Sequence, residues 1–117
     1  MKMKENSLEI TKYIQIARKN QKEGNLYQAN EIYRKLINQK NYTYDLLISY
    51  GLFNKDINNL KISKNLLLLS IKKYPLKIKP YIFLADILRQ ENKFNDALKT
   101  LQAAKKIEKF NSDVDYN

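Results

Sequence analysis

Residues 78–111 read IKPYIFLADILRQENKFNDALKTLQAAKKIEKFN. Two amphipathic segments, Tyr81 to Gln90 and Phe94 to Ile107, stand on either side of a short polar stretch. This pattern predicts two short helices joined by a tight turn. Similar residue types recur at intervals of 34 residues through the rest of the chain, as in the series Ala97, Ser63 and Ala29. A period of this length that contains two helices is typical of a helical repeat protein.

Six columns of residues carry this recurrence. They are Ala17/Gly51/Ala85, Ala29/Ser63/Ala97, Tyr13/Leu47/Tyr81, Tyr33/Leu67/Leu101, Leu26/Leu60/Phe94 and Gly24/Asn58/Asn92. Small residues let two helices cross closely, large apolar residues fill the space around the crossing, and Gly or Asn tolerates a left-handed turn. The predicted units are residues 10–43, 44–77 and 78–111, with a lead-in at 1–9 and a truncated fourth repeat or capping stub at 112–117.

Local signals place the individual helices. Asn6 and Glu9 form a candidate capping box for a first helix over residues 7–22. Pro75 ends the return helix of the second unit because proline cannot continue a helix. The apolar stripe predicted for the first helix is Tyr13, Ile16 and Ala17, with Asn20 at its end. The remaining helices are predicted over residues 26–39, from Tyr44 onward, and over 60–74, 81–90 and 94–107.

The composition excludes several classes of chemistry. The chain has no cysteine and no histidine, which removes disulfides, thiolate ligands, cysteine nucleophiles and histidine acid–base catalysis. Its Asp and Glu residues are scattered and form no calcium-loop pattern. We therefore predict no enzyme activity in this segment, and neither a metal nor a cofactor.

The chain is basic, with 22 Lys and Arg against 12 Asp and Glu and a net charge of +10. A basic balance raises the question of nucleic-acid binding. Arginine, which is preferred for bidentate phosphate and base contacts, occurs only at Arg18, Arg34 and Arg89. Lysine supplies the rest of the charge, beside abundant Asn and Ile, the usual mark of an AT-rich genome. We interpret the charge as solvated lysine faces and do not expect a nucleic-acid partner.

Residues 10–111 resemble the tetratricopeptide repeat (TPR) family. The third unit carries the resemblance on these residues: Tyr81, Leu84, Ala85, Leu88, Phe94, Ala97, Leu101 and Ala104. The resemblance implies an all-α fold, an α-solenoid of three antiparallel helix pairs in a right-handed superhelix. It also implies a protein–protein interaction scaffold whose first helices line a concave groove that binds a peptide or helix. The groove-facing residues implied here are Ile14, Arg18, Gln21, Ile48, Ser49, Leu52, Lys55, Lys79, Ile82, Phe83, Asp86 and Arg89.

An apolar strip is expected in this groove, because Ile14, Ile48, Leu52, Ile82 and Phe83 share it. Such a strip indicates either a binding site for an amphipathic helix or apolar segment, or residues that close the packing between neighbouring units. Family members that hold the acidic tails of heat-shock chaperones use a clamp of five polar residues. The corresponding residues here are Ile14, Arg18, Ser49, Lys79 and Phe83. Only Lys79 matches, which argues against that clamp.

Alternative functions and partners stay open at the level of sequence. Repeat arrays of this kind precede transferase domains in bacterial proteins, so the chain could be an assembly or docking region of a larger enzyme. RNA binding, as in pentatricopeptide arrays, is a third hypothesis. Self-association through Leu68, Leu69 or the uncapped C-terminal edge is a further hypothesis. No signal peptide or membrane-spanning run is present in the sequence, which favours a cytoplasmic location.

Overall fold

The computed structural model describes residues 7–116, and all of the regular structure within that range is helical. Consecutive helices pair as α1–α2, α3–α4 and α5–α6, and the pairs stack on one another. The six helices are α1 (Ser7–Lys22), α2 (Leu26–Asn38), α3 (Tyr44–Asp56), α4 (Leu60–Lys73), α5 (Lys79–Gln90) and α6 (Phe94–Tyr116). The predicted all-α solenoid of antiparallel helix pairs is therefore confirmed.

The turn inside each helix pair has the same geometry in all three units. The backbone is left-handed at Gly24 (φ 83°), Asn58 (φ 65°) and Asn92 (φ 62°), as the turn column predicts. In each turn, the amide one residue later donates to a carbonyl five residues back, at 2.7–2.8 Å. The left-handed residue itself donates to a carbonyl three residues back. These two bonds form a Schellman motif, which ends the first helix and sets the direction of the second.

Two helix boundaries differ from the sequence-based prediction by two residues or more, while α2 and α4 each end one residue earlier than predicted. The prediction that α6 ends near Ile107 is wrong, since α6 is continuous to Tyr116. Residues 112–116 extend α6 and do not begin a new helix. The division of the chain into repeat units stays a prediction. α5 begins at Lys79, two residues earlier than predicted, with Pro80 in its first turn, where a missing N–H costs little. Asn6 and Asn117 lie outside the described residues.

Two interfaces between the helix pairs hold the solenoid together. We call the contact of α3 with α1 and α2 joint 1, and the contact of α5 with α3 and α4 joint 2. Joint 1 buries a cluster that includes Ala29, Tyr33 and Phe53. Joint 2 buries a second cluster, Ile48, Leu67, Leu84 and Ile87. Neither helix pair could bury these side chains alone, so the stacking of units stabilises the fold.

The buried face of α1 agrees with the predicted stripe at Ala17 but not at Tyr13 or Ile16. Ile10, Ile14 and Ala17 are buried, whereas Tyr13 is 43% exposed and Ile16 is 47% exposed. The stripe containing Tyr13 and Ile16 corresponds to the face that α3 presents to the preceding pair. Among the described residues no helix lies on that side of α1, so the same face remains open to solvent there.

The small-residue columns mark close helix crossings, as predicted. A Cβ atom on Gly51 would lie 3.3 Å from the side chain of Leu67, tighter than ordinary van der Waals contact. The hydroxyl of buried Ser63 donates a 2.7 Å hydrogen bond to the carbonyl oxygen of Gly51. This bond satisfies a polar side chain that would otherwise be costly to bury between α3 and α4.

Candidate functional site

The first helices α1, α3 and α5 neighbour one another and form one face of the solenoid, which we call the groove face. Three of its predicted residues lie inside the molecule: Ile14 is 0% exposed, Ile48 is 6% exposed and Ser49 is 4% exposed. For Ile14 and Ile48 the assignment as surface residues is corrected to a packing role. Each lies where the next first helix covers it, α3 over Ile14 and α5 over Ile48. The predicted apolar strip is therefore not continuous along the surface.

Polar side chains on the groove face tie α1 to α3. Arg18 forms an ion pair with Asp45, with 3.0 Å between Nη2 and Oδ1, and also donates to the hydroxyl of Ser49. Gln21 donates from Nε2 to Oδ2 of Asp56 at 3.1 Å. Arg18 and Gln21 are thus engaged in holding joint 1 on its exposed side.

A second polar group ties α3 to α5. Lys55 Nζ lies 2.7 Å from Oδ2 of Asp86, and Arg89 bonds to the other carboxylate oxygen of Asp86. The hydrogen bond from Lys55 and then that from Arg89 lower the pKa of Asp86 to about 2. Two cations face one carboxylate, so this trio carries one net positive charge. A nearby negative group on a ligand would be attracted to it.

This trio forms the rim of a pocket of about 340 Å³, which we call the edge pocket. Ile82, Phe83, Ala85, Ala97 and Leu101 supply its apolar lining. Five of the predicted groove residues converge here, namely Lys55, Ile82, Phe83, Asp86 and Arg89. They lie at the last helix pair, between α5 and α6, with Lys55 reaching across from α3.

The remaining predicted residues do not join this pocket. Leu52 is half-buried and packs against the cluster of joint 2. Lys79, the only residue that matched the chaperone clamp, is exposed in the first turn of α5. Arg18 and Gln21 are engaged at joint 1 as described above.

Four residues of this region were missed by reasoning from the sequence. Asp45 and Asp56 hold Arg18 and Gln21, while Ala97 and Leu101 line the edge pocket from α6. The pattern of a single helix carries no signal for the two acids, because their contacts with Arg18 and Gln21 join different units. Ala97 and Leu101 were assigned only to packing, because the resemblance placed all site residues on first helices.

The outer leucines differ in their surroundings. Leu69 is half-buried and packs against the cluster of joint 1. Leu68 is exposed and lies in an open cleft of about 540 Å³ between α4 and α6. Lysines surround this cleft, at Lys61, Lys64 and Lys99. Lys64 is already paired with Glu91 at 2.8 Å.

Within residues 7–116 we find neither a candidate metal site nor a candidate membrane-spanning helix. Over that range, no group of three or more acidic side chains is placed so that it could hold a metal ion. None of the helices in the same range combines the length and the apolar character needed to cross a membrane.

Two solved structures share this fold at low sequence identity. The crystal structure of MamA matches with a TM-score of 0.82 and 14% identity, and the match covers 89% of this chain and 61% of MamA. The type III secretion chaperone SycD of Yersinia enterocolitica, solved with a peptide of the translocator YopD, matches with a TM-score of 0.78 and 13% identity. That match covers 87% of this chain and 78% of SycD. No protein-family model matches the sequence, and no curated protein is similar to it in sequence. The likeness confirms a TPR-like α-solenoid.

Proposed function

We propose that this TPR-like solenoid is a non-catalytic scaffold that binds a segment of a partner protein on its groove face, at the edge pocket. The observation that carries the proposal is the convergence of five predicted groove residues on one pocket of about 340 Å³. Its apolar floor and charged rim have the arrangement that protein interfaces use, with a desolvated centre inside a polar border.

The structural neighbours support the same class of function. SycD is a chaperone with the same fold, and its structure contains a peptide of the translocator YopD. Sequence identity of 13% transfers only the fold, so neither the peptide nor its position is carried over to this chain. The docking region of a larger enzyme and the RNA-binding module remain hypotheses from the sequence, since no feature of the pocket favours either.

A displayed peptide library tests the proposal while the partner is still unidentified. The native chain, an Ile82→Glu variant and a Leu98→Glu variant would be panned in parallel. Ile82 lines the pocket and is 45% exposed, whereas Leu98 lies outside it and is 56% exposed. We expect peptides that bind the native chain and the Leu98 variant and lose at least tenfold in affinity for the Ile82 variant.

Helical content of all three proteins, measured by circular dichroism, confirms that the substitutions leave the fold intact. Peptides that bind all three proteins equally well would contradict the proposed location. A library that yields no peptide for the native chain would contradict the scaffold function itself.

A further inference from the structure

One column of the repeat changes its exposure at the last unit. Ile14 is 0% exposed, Ile48 is 6% exposed and Ile82 is 45% exposed. The residue type is the same in all three units, so only the surroundings differ. α3 covers Ile14 and α5 covers Ile48, but no described helix covers Ile82.

The matching column on the second helices behaves in the same way. Tyr33 and Leu67 are 0% exposed, whereas Leu101 is 45% exposed. Tyr33 lies under two rings of α3, with centroids 5.1 Å away at Tyr50 and 5.5 Å away at Phe53. A buried aromatic cluster thus fills joint 1 at this position.

Joint 2 repeats the arrangement one unit later. Leu67 packs with Leu84 and Ile87, which stand 34 residues after Tyr50 and Phe53. In both joints, the incoming first helix packs two apolar side chains, three positions apart in sequence, against the column that contains Tyr33 and Leu67. Leu101 lies in the edge pocket together with Ala85 and Ala97, the small residues of the crossing. Within residues 7–116, the edge pocket is therefore a third copy of the surface onto which α3 and α5 dock, and no helix of that range covers it.

At both joints, a residue of one column contacts an acidic residue of the incoming helix. Gln21 donates to Asp56 of the incoming α3, and Lys55 pairs with Asp86 of the incoming α5. Arg89 stands in the same column as Gln21 and Lys55. Its side chain is 68% exposed, which leaves room for a second carboxylate beside Asp86.

We propose that the edge pocket binds one amphipathic helix of a partner protein, docked as α3 and α5 dock within the chain. Two apolar side chains of that helix, three positions apart, cover Leu101, and a carboxylate within about one turn of them meets Arg89. The inference rests on the proposed function and specifies the occupant.

A second copy of the chain fits this surface poorly. Its α1 would have to dock with Ile16 and Lys19, which stand in the columns of Leu84 and Ile87, so a lysine would replace one of the two apolar side chains. Lys22 and Arg18 stand in the columns of Asp56 and Asp86, so they would meet Arg89 with like charge, which is unfavourable. Charge therefore selects an acidic partner helix over a second copy.

The chain itself supplies a probe, because α5 already makes such a joint. A synthetic peptide of residues 78–92 would be held helical by a cross-link between the positions of Ile82 and Arg89, which are exposed in α5. The cross-link is needed because isolated helices of this length are marginal in water. Binding to the intact chain is measured by fluorescence anisotropy, with Leu101→Glu as the pocket variant and Leu98→Glu as the control.

We expect the peptide to bind the native chain and the Leu98 variant, and to lose at least tenfold in affinity for the Leu101 variant. Arg89→Glu should weaken the peptide about two- to fivefold, as expected for an exposed ion pair. A peptide with Asp86→Lys should show the reverse preference, binding Arg89→Glu better than the native chain. This reversal separates a direct charge contact from an unspecific loss of structure.

Retained binding to the Leu101 variant would overturn the edge pocket as the docking site. An unchanged preference after the charge swap would overturn the acidic partner. Analytical ultracentrifugation that shows an oligomer for the native chain and a monomer for Leu101→Glu would place a second copy of the chain in the pocket instead. A third outcome is that library peptides lose affinity for Ile82→Glu but the cross-linked helical peptide does not bind the native chain. This outcome would overturn the inference of a helical occupant and leave the proposed function standing.

Discussion

Joint 1 and the C-terminal edge place equivalent residues in opposite surroundings. At joint 1, Ile14 and Tyr33 are fully buried beneath α3. At the edge, their equivalents Ile82 and Leu101 are each 45% exposed and line a pocket. The comparison shows that in a solenoid equivalent residues are buried in the core or lie at the surface, according to whether another helix packs over them.

The largest expected effect contrasts two leucines of one column. Leu67→Ala should destabilise the fold by about 2–5 kcal/mol, because it removes buried methyl groups and leaves a cavity in joint 2. Leu101→Ala should cost under about 1 kcal/mol, since Leu101 is already 45% exposed and its removal leaves no closed cavity. Urea unfolding of both variants beside the native chain measures the difference. Similar losses for the two variants would show that the edge is covered in solution.

An intermediate effect is expected from enlarging the small residues of one crossing. Ala29→Leu should cost about 1–3 kcal/mol, since the added carbons must fit inside the closed cluster of joint 1. Ala97→Leu should cost less, because Ala97 borders the edge pocket and the added carbons can enter it. Thermal unfolding midpoints of the two variants provide the comparison. A larger loss at Ala97 would contradict an open pocket at that end.

The smallest expected effect is a loss of stability at low pH, which tests the ion pairs of Asp86 at joint 2. Asp86 has a pKa of about 2 in the fold, below its ordinary value of 3.8, because Lys55 and Arg89 bond to it. Because the pKa of Asp86 is lower in the folded than in the unfolded chain, its ionised carboxylate stabilises the fold above about pH 4. This contribution is lost as the pH falls towards 2. After solvent screening it should amount to under about 1 kcal/mol.

Stability measured by urea unfolding from pH 6 to pH 2 checks this sign. The native chain should exceed Asp86→Asn at pH 6, and the two curves should converge as the pH approaches 2. Glu108→Gln, at an exposed position of α6, serves as the control and should run parallel to the native chain. If the unfolding free energies of the native chain and Asp86→Asn stay parallel from pH 6 to pH 2, the Asp86 carboxylate does not stabilise joint 2.

Much of the fold could be predicted because its signals are local. Gly24, Asn58 and Asn92 predict left-handed turns from their own backbone preferences, and all three have positive φ. The candidate site was less accessible to such reasoning. Arg18 and Gln21 belong to the predicted groove, but their acidic partners come from the next unit. A side-chain pair of this kind depends on how two units stack, which no single helix pattern contains.

The sequence by itself determined the helix pairs, the turns between them and the period of 34 residues, because helix propensity and turn geometry act over a few neighbouring residues. Only the tertiary structure decided which member of each column is buried. Tyr13 and Leu47 occupy one column, yet Tyr13 is 43% exposed and Leu47 is fully buried. The physical reason is that burial requires a neighbouring helix, and the presence of that neighbour is a property of the stacked array rather than of the residue.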